Sequence, residues 1–189
     1  MSKLTQKAMA QALTTLLKTR TLDKITIRDI TDTCGLTRNT FYYHFHDVYD
    51  LLGWLFEEKT QEIMRRYETD ADWEGGLEEI LQYLYANRRM MMHIHESISF
   101  DLLFRFVNDV MFHHAEVIMR READERGLSE DAIGIAASFY VNAAVGDVIQ
   151  WISVGMDRTP EHMAQVYNTM FQGTIESVLK SASEAAAVS

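Results

Sequence analysis

The chain has 189 residues, 47% of them apolar, enough to bury a real core and to exclude disorder as the starting assumption. A single cysteine, Cys34, excludes an intrachain disulfide framework and a Cys-rich zinc site, so a reducing, cytoplasmic compartment is expected. The formal net charge of −10 argues against a nucleic-acid partner only until its distribution is read. From Met1 to His46, seven cations (Lys3, Lys7, Lys18, Arg20, Lys24, Arg28, Arg38) meet three acids (Asp23, Asp29, Asp32), which makes a basic head on an acidic body. No basic stretch followed by an apolar one opens the sequence. No uninterrupted apolar run approaches the roughly 20 residues of a membrane helix, so a soluble protein with no membrane partner is expected. One proline, Pro160, and the scarcity of alternating apolar runs point to an all-α fold.

Leu4, Met9, Leu13, Leu16 and Leu17 recur at near-helical spacing and predict a first amphipathic helix over Lys3 to Arg20. Thr26 with Asp29 three residues on resembles a capping box and starts a second, shorter helix to about Thr33. Cys34, Gly35 and Leu36 interrupt it, because Gly35 is free to take a positive φ. Thr37 then caps a third helix, in which Phe41 and Phe45 share a face and Tyr42 and Tyr43 are left outside. Asp47 caps a long fourth helix reaching Tyr67, with a polar break at Glu68 to Asp72. Further helices are expected from about Trp73 to Arg89 and from about Ser97 to Arg126, separated by Met90 to Glu96. Arg126-Gly127 stops the latter, and Ser129 begins a broadly apolar helix to about Val154. Thr159 and Pro160 open the last helix as cap and first residue. Ser183 to Ser189 reads as a frayed tail, and there are no internal repeats. The expected division is residues 1–46, 47–182 and a flexible 183–189.

The second and third helices carry the function. A helix-turn-helix needs a packed elbow and a second helix whose early polar residues reach base edges in the major groove. Ile27, Ile30, Leu36 and Phe41 supply the elbow, while Arg38, Asn39, Thr40 and Tyr42 to His44 lie where a groove would be. Arg and Asn offer forked or paired donors to purine edges, and Thr reaches a base or a phosphate. The alternative is a structural helical hairpin with a solvated polar face.

The string Thr37-Arg38-Asn39-Thr40-Phe41-Tyr42-Tyr43-His44-Phe45, with Ile25-Thr26-Ile27-Arg28-Asp29-Ile30 and Cys34-Gly35-Leu36 upstream, decides between them. Over about Leu4 to Trp54 the sequence resembles the TetR/AcrR family of bacterial transcriptional regulators. The resemblance implies a three-helix DNA-binding head, a connecting fourth helix, and a larger helical body that binds an effector and dimerises. It also implies DNA-binding roles for Thr26, Arg28, Thr37, Arg38, Asn39, Thr40, Tyr42, Tyr43 and His44 on a double-stranded operator. Many members carry a phosphate-contacting lysine where this chain has Val48. The lost contact lowers non-specific affinity unless Lys3, Lys24 and Arg28 compensate. The stretch from Ala143 to Met156, with Gly146, Trp151 and Gly155, resembles the subgroup of dihydroxyacetone kinase operon regulators, some of which are activators.

The last two helices expose more apolar surface than one partner covers. A homodimer interface is therefore expected at Phe139, Ala143, Val166, Met170, Phe171, Ile175 and Val178, against the alternative of a monomeric bundle. An effector pocket for a small molecule is expected among His93, Phe100, Phe104, Asn108, Met111, Tyr140, Asp147 and Trp151. Aromatic and methionine linings suit adaptable apolar sites, although for any one of these residues ordinary core packing is the stronger reading. His93, His95, His113 and His114 have spacings that put no two ligands on one helical face, so no metal and no cofactor is expected. Ser97, His95 and Asp101 crowd one segment without a nucleophile elbow or phosphate loop, and no enzyme is expected. The reading is a DNA-binding repressor released by a small-molecule effector. The alternative is an activator or co-regulator with weakened DNA contacts that acts through a protein partner.

Overall fold

The computed structural model describes residues 2–67, 73–124 and 128–187, and among these every regular element is a helix. Helix α1 (Ser2–Leu17) buries Met9, Leu13, Leu16 and Leu17, while Leu4 is exposed beyond the reach of the core. A 3-10 turn at Leu22–Lys24 drops Leu22 into the same core. Three short-range devices then set the path. Thr26 caps α2 (Ile27–Cys34) in a two-way capping box with Asp29. Gly35 ends that helix at φ 69°, where a side chain would be strained. Thr37 caps α3 (Arg38–His44). Asp47 caps α4 (Val48–Met64), which leads out of the head.

Neither α2 nor α3 is long enough to persist alone, so both depend on packing. Ile30, Phe41, Phe45, Leu51 and Leu52 meet Met9, Leu13 and Leu17 in one cluster, and each large side chain so buried contributes about 1.5–3 kcal/mol. That cluster continues into the body through Met90, Met91 and Ile94.

The body holds α5 (Trp73–Ala86), α6 (Arg88–His95), α7 (Phe100–Asp124), α8 (Glu130–Ser153) and α9 (Pro160–Ala186). The expected gap at Met90 to Glu96 is helical instead. Asn87 breaks the chain between α5 and α6, its amide donating to the Tyr83 carbonyl at 2.8 Å. Met90, Met91 and Ile94 then bury a helical face against the head. The expected tail is likewise helical as far as Ala186, because Ala182 is buried and Ala186 packs against the second core. The break at Glu68 to Asp72, the Arg126-Gly127 stop and the side chains of Trp73 and Phe106 lie outside the described residues.

Helix α8 is long and apolar enough to cross a membrane by composition alone, with mean hydropathy 1.6 over its best window. It packs between α7 and α9 and carries Asn142 and Asp147 midway, the pattern of a central core helix. Its first half joins α9 and the end of α7 in a second cluster of Met119, Ile133, Ala136, Phe171, Ile175 and Leu179.

Candidate nucleic-acid interface and body cavity

Phe41 is fully buried and anchors α3, with Phe45 beside it at 5.8 Å between ring centroids. The same helix turns Tyr42 and Tyr43 to solvent, 60% and 82% exposed, and leaves Arg38 and Asn39 exposed at its start. Large aromatic rings held out in water by a helix only two turns long are poised for contact, and His44 is half-buried against Tyr43. The Thr37 hydroxyl accepts from the Thr40 amide at 3.1 Å and lies 2.8 Å from the Thr40 hydroxyl, so both threonines shape the helix start.

The starts of α2, α3 and α4, which frame the turn, differ in charge, while α1 also begins without an acid in its first turn. The α2 start is occupied by Asp29, whose carboxylate accepts from the Thr26 amide at 2.9 Å and hydroxyl at 2.6 Å. Those bonds to Thr26, and then Arg20 at 3.1 Å, pull the Asp29 carboxyl down to about 2. The α4 start is occupied by Asp50, which accepts from the His46 amide at 2.8 Å, and by the Asp47 cap. Only α3 of the three has no acid in its first turn, so its positive end is open to phosphate or bases.

The basic excess of the head is partly neutralised in place. Lys3 and Lys7 both reach Glu58 of α4, at 2.9 and 3.1 Å, and that carboxylate is mostly buried. Arg20 holds Asp29, and Arg28 lies 3.4 Å from Asp32 in an exposed pair worth only a few tenths of a kcal/mol. Lys18 and Arg38 have no carboxylate partner among the described residues, and Lys24 makes no direct ion pair there but helps to lower the neighbouring Asp23 carboxyl. Of the cations expected to compensate for Val48, Lys3 and Arg28 are each engaged by a carboxylate, which leaves Lys24 the freest of the three. Val48 is half-buried against the head core, which gives an apolar role to the position where a lysine was expected.

The residues expected to line one pocket are mostly apart. His93 donates from Nδ1 to the Leu17 carbonyl at 2.7 Å, tying α6 to the end of α1, and Ser97 donates to Asp23 beside it. Asp147 accepts from Arg158 at 3.1 Å and from Tyr167 at 2.6 Å, while Trp151, fully buried, donates to the Arg158 carbonyl. These three bonds brace the α8–α9 turn, where Gly155 sits at φ 84°. Burial, and then the bond to Asp147, push the Tyr167 hydroxyl well above the usual phenol range. Asn108 donates to Asn142, and Phe100 is exposed and stacked on Phe104. Only Met111 and Tyr140 line the apolar cavity of the body.

That cavity, about 100 Å³, lies between α4, α5, α7, α8 and α9. Met64, His114, Ile118, Met119, Ala144 and Phe171 complete much of its wall. Sequence reasoning missed these, although Met111, Ala115 and Ile118 recur at i, i+4, i+7 and Tyr140 and Ala144 at i, i+4. The period shows that each helix has an inner face but not which faces oppose each other.

The residues expected at a dimer interface divide in two. Phe139 and Met170, 59% and 60% exposed, and Ala143 lie on the outer faces of α8 and α9, with Val166 and Val178 half-buried. Phe171 and Ile175 turn inward into the second core, one helical step away from Met170, and are corrected to core residues.

An all-helical chain with a capped helix-turn-helix head and a larger helical body carrying a cavity is the layout of a one-component regulator. Residues 71–173 match the family described as the transcriptional regulator C-terminal region (TetR_C_8). The chain belongs to the TetR family of transcriptional regulators. It is 32% identical over 87 residues to the HTH-type dhaKLM operon transcriptional activator DhaS of Lactococcus lactis subsp. lactis (strain IL1403). That match covers 46% of this chain and 46% of the relative, so the chain spans about half the length of the curated relative it matches. Among solved structures, dihydroxyacetone kinase operon activator DhaS superposes with a TM-score of 0.68 at 19% identity, over 94% of this chain and 97% of that one. A TetR transcriptional regulator from Streptococcus agalactiae 2603V gives a TM-score of 0.60 at 23% identity, over 89% and 93%. At these identities the structures share the fold.

Proposed function

We propose that this chain is a dimeric, sequence-specific DNA-binding regulator acting in the cytoplasm, with α3 as its recognition helix and a small molecule as its effector. The observation that carries this reading is the acid-free start of α3, where Arg38, Asn39, Tyr42 and Tyr43 stand exposed on a helix pinned by Phe41. Thr26, Arg28, Thr37, Thr40 and His44 flank it. Phe139, Ala143 and Met170 form the centre of the dimer surface, which would set two heads one DNA turn, roughly 34–36 Å, or a multiple apart. Helix α4 runs from Met64 in the cavity wall to Leu51 and Leu52 in the head core, so an occupant of the cavity bears on the helix that supports α3.

Release of a repressor by its effector is the simplest consequence. Activation is a second reading, favoured by the similarity to the Lactococcus lactis operon activator and by the number of head cations already engaged by carboxylates. Selection of bound sequences from a random duplex pool should return a palindrome. Arg38→Ala and Tyr42→Ala should each abolish its binding with the helical signal unchanged. Operator affinity unaltered in both variants removes α3 from the interface. Expression of a reporter behind the selected site, with and without the protein, reads the sign of regulation.

A further inference from the structure

We propose that the effector is an amphipathic carboxylate whose apolar tail fills the body cavity and whose carboxylate lies at its mouth against Arg121 and His113. This rests on the reading of the body as an effector-binding module and names the ligand chemistry. The cavity of about 100 Å³ adjoins a second hollow of about 270 Å³, and Met64, His114 and Ile118 line both. The inner one is walled almost wholly by carbon and sulfur. The outer one adds Tyr67, His113 and Arg121.

The inner hollow sets the tail. It is smaller than the ~150 Å³ engineered apolar cavity that stays dry and takes up benzene, so a short chain fits it directly. Met64, Met111 and Met119 line it, and their flexible thioethers can repack around a slightly larger group.

The outer hollow sets the head group. Arg121 is exposed and has no carboxylate partner among the described residues, in contrast to two nearby arginines: Arg66 is held by Glu79, and Arg120 by Glu130. Glu79 is the carboxylate that reaches the mouth residue Tyr67. It accepts from Tyr67 at 3.0 Å as well as from Arg66, so its charge is already compensated. A cationic ligand would be repelled by Arg121, and a neutral one would leave the guanidinium to water and gain no charge pairing. A carboxylate pairs with it through charge-assisted hydrogen bonds. The net charge of −10 opposes anions at long range, so selectivity for one at this mouth has to come from these local groups.

Calorimetric titration of the full chain, free of DNA, with hexanoate, hexanol and hexylamine tests this. Hexanoate should bind, with hexanol weaker by roughly tenfold or more and hexylamine weaker still. Arg121→Gln should bring hexanoate down to the level of hexanol without moving the melting temperature, since the side chain is at the surface. Ala144→Met, which fills the inner hollow, should weaken hexanoate and hexanol together. Hexanol binding as well as hexanoate, or hexanoate binding indifferent to Arg121→Gln, overturns the carboxylate assignment. No binding of either overturns the cavity as the ligand site. Operator binding is measured separately, so failure of the DNA-binding reading is distinguishable from failure of this one.

Discussion

The head and the body solve opposite mechanical problems. In the head, helices of eight and seven residues are each closed by a side-chain cap and pinned to one core, so α3 has little freedom to change its presentation. In the body, helices of 24 to 27 residues border two hollows, the inner one lined by Met64, Met111 and Met119, and leave Phe139 and Met170 uncovered. Local bonds make the first rigid. Long-range packing makes the second adjustable, because a lined void has lost contacts that an occupant can restore. The difference teaches that presentation and response are separated along the chain and joined through α4 and through α6, whose Met90, Met91 and Ile94 share the head core and whose end is tied by the His93 bond to Leu17 and the Ser97 bond to Asp23.

The largest expected effect breaks the head side of this comparison. Phe41→Ala should cost about 3–5 kcal/mol, read by urea unfolding with the fluorescence of Trp54, which packs on Phe45. A loss below about 1 kcal/mol would mean that α3 does not hang on that ring. Next, Phe139→Glu places a charge on the uncovered face of α8. Sedimentation should show monomers and operator affinity should fall, whereas a persisting dimer relocates the interface. Thr37→Ala removes the α3 cap and should cost about 1 kcal/mol in thermal unfolding, with weaker operator binding as the helix start frays.

The smallest effect is the pH dependence of the capping box. The Asp29 carboxyl sits at about 2 in the folded chain against an ordinary 3.8. Its stabilisation is complete above 3.8 and disappears as the pH falls towards 2. Asp29→Asn should therefore flatten that part of the acid unfolding curve and leave stability above pH 5 to report only the weaker neutral cap. An unchanged acid limb would show that the bond to Thr26 does not persist in solution.

Much of the head follows from sequence alone, because its determinants are local. Thr26 with Asp29, Gly35, Thr37 and Asp47 act within four residues of where they stand, and Phe41 and Phe45 share a face by the helical period whatever surrounds them. The all-helical class, the two short helices with their turn and the exposure of Tyr42 and Tyr43 are readable on that basis, whereas taking that pair for a DNA-binding helix-turn-helix rests on the family resemblance of the Thr37 to Phe45 string. The helix α6 was readable too, in the spacing of Met90, Met91 and Ile94, but its reading as a break hid it.

Tertiary structure alone decided which faces meet. Periodicity assigns Phe171 and Met170 to one apolar stripe, yet the core covers only one edge of that stripe, so Phe171 is buried and Met170, about 100° around α9, faces solvent. Asp147, His93 and Asn108 looked like polar groups converging on a ligand, and each is instead spent on a brace to another helix. Their partners lie 20, 76 and 34 residues away in the chain, distances over which no helical period carries information. The cavity and the pairing of Lys3 and Lys7 with Glu58 have the same origin. Both arise where helices remote in sequence pack side by side, and the energy that selects that packing belongs to the assembled core rather than to any one segment.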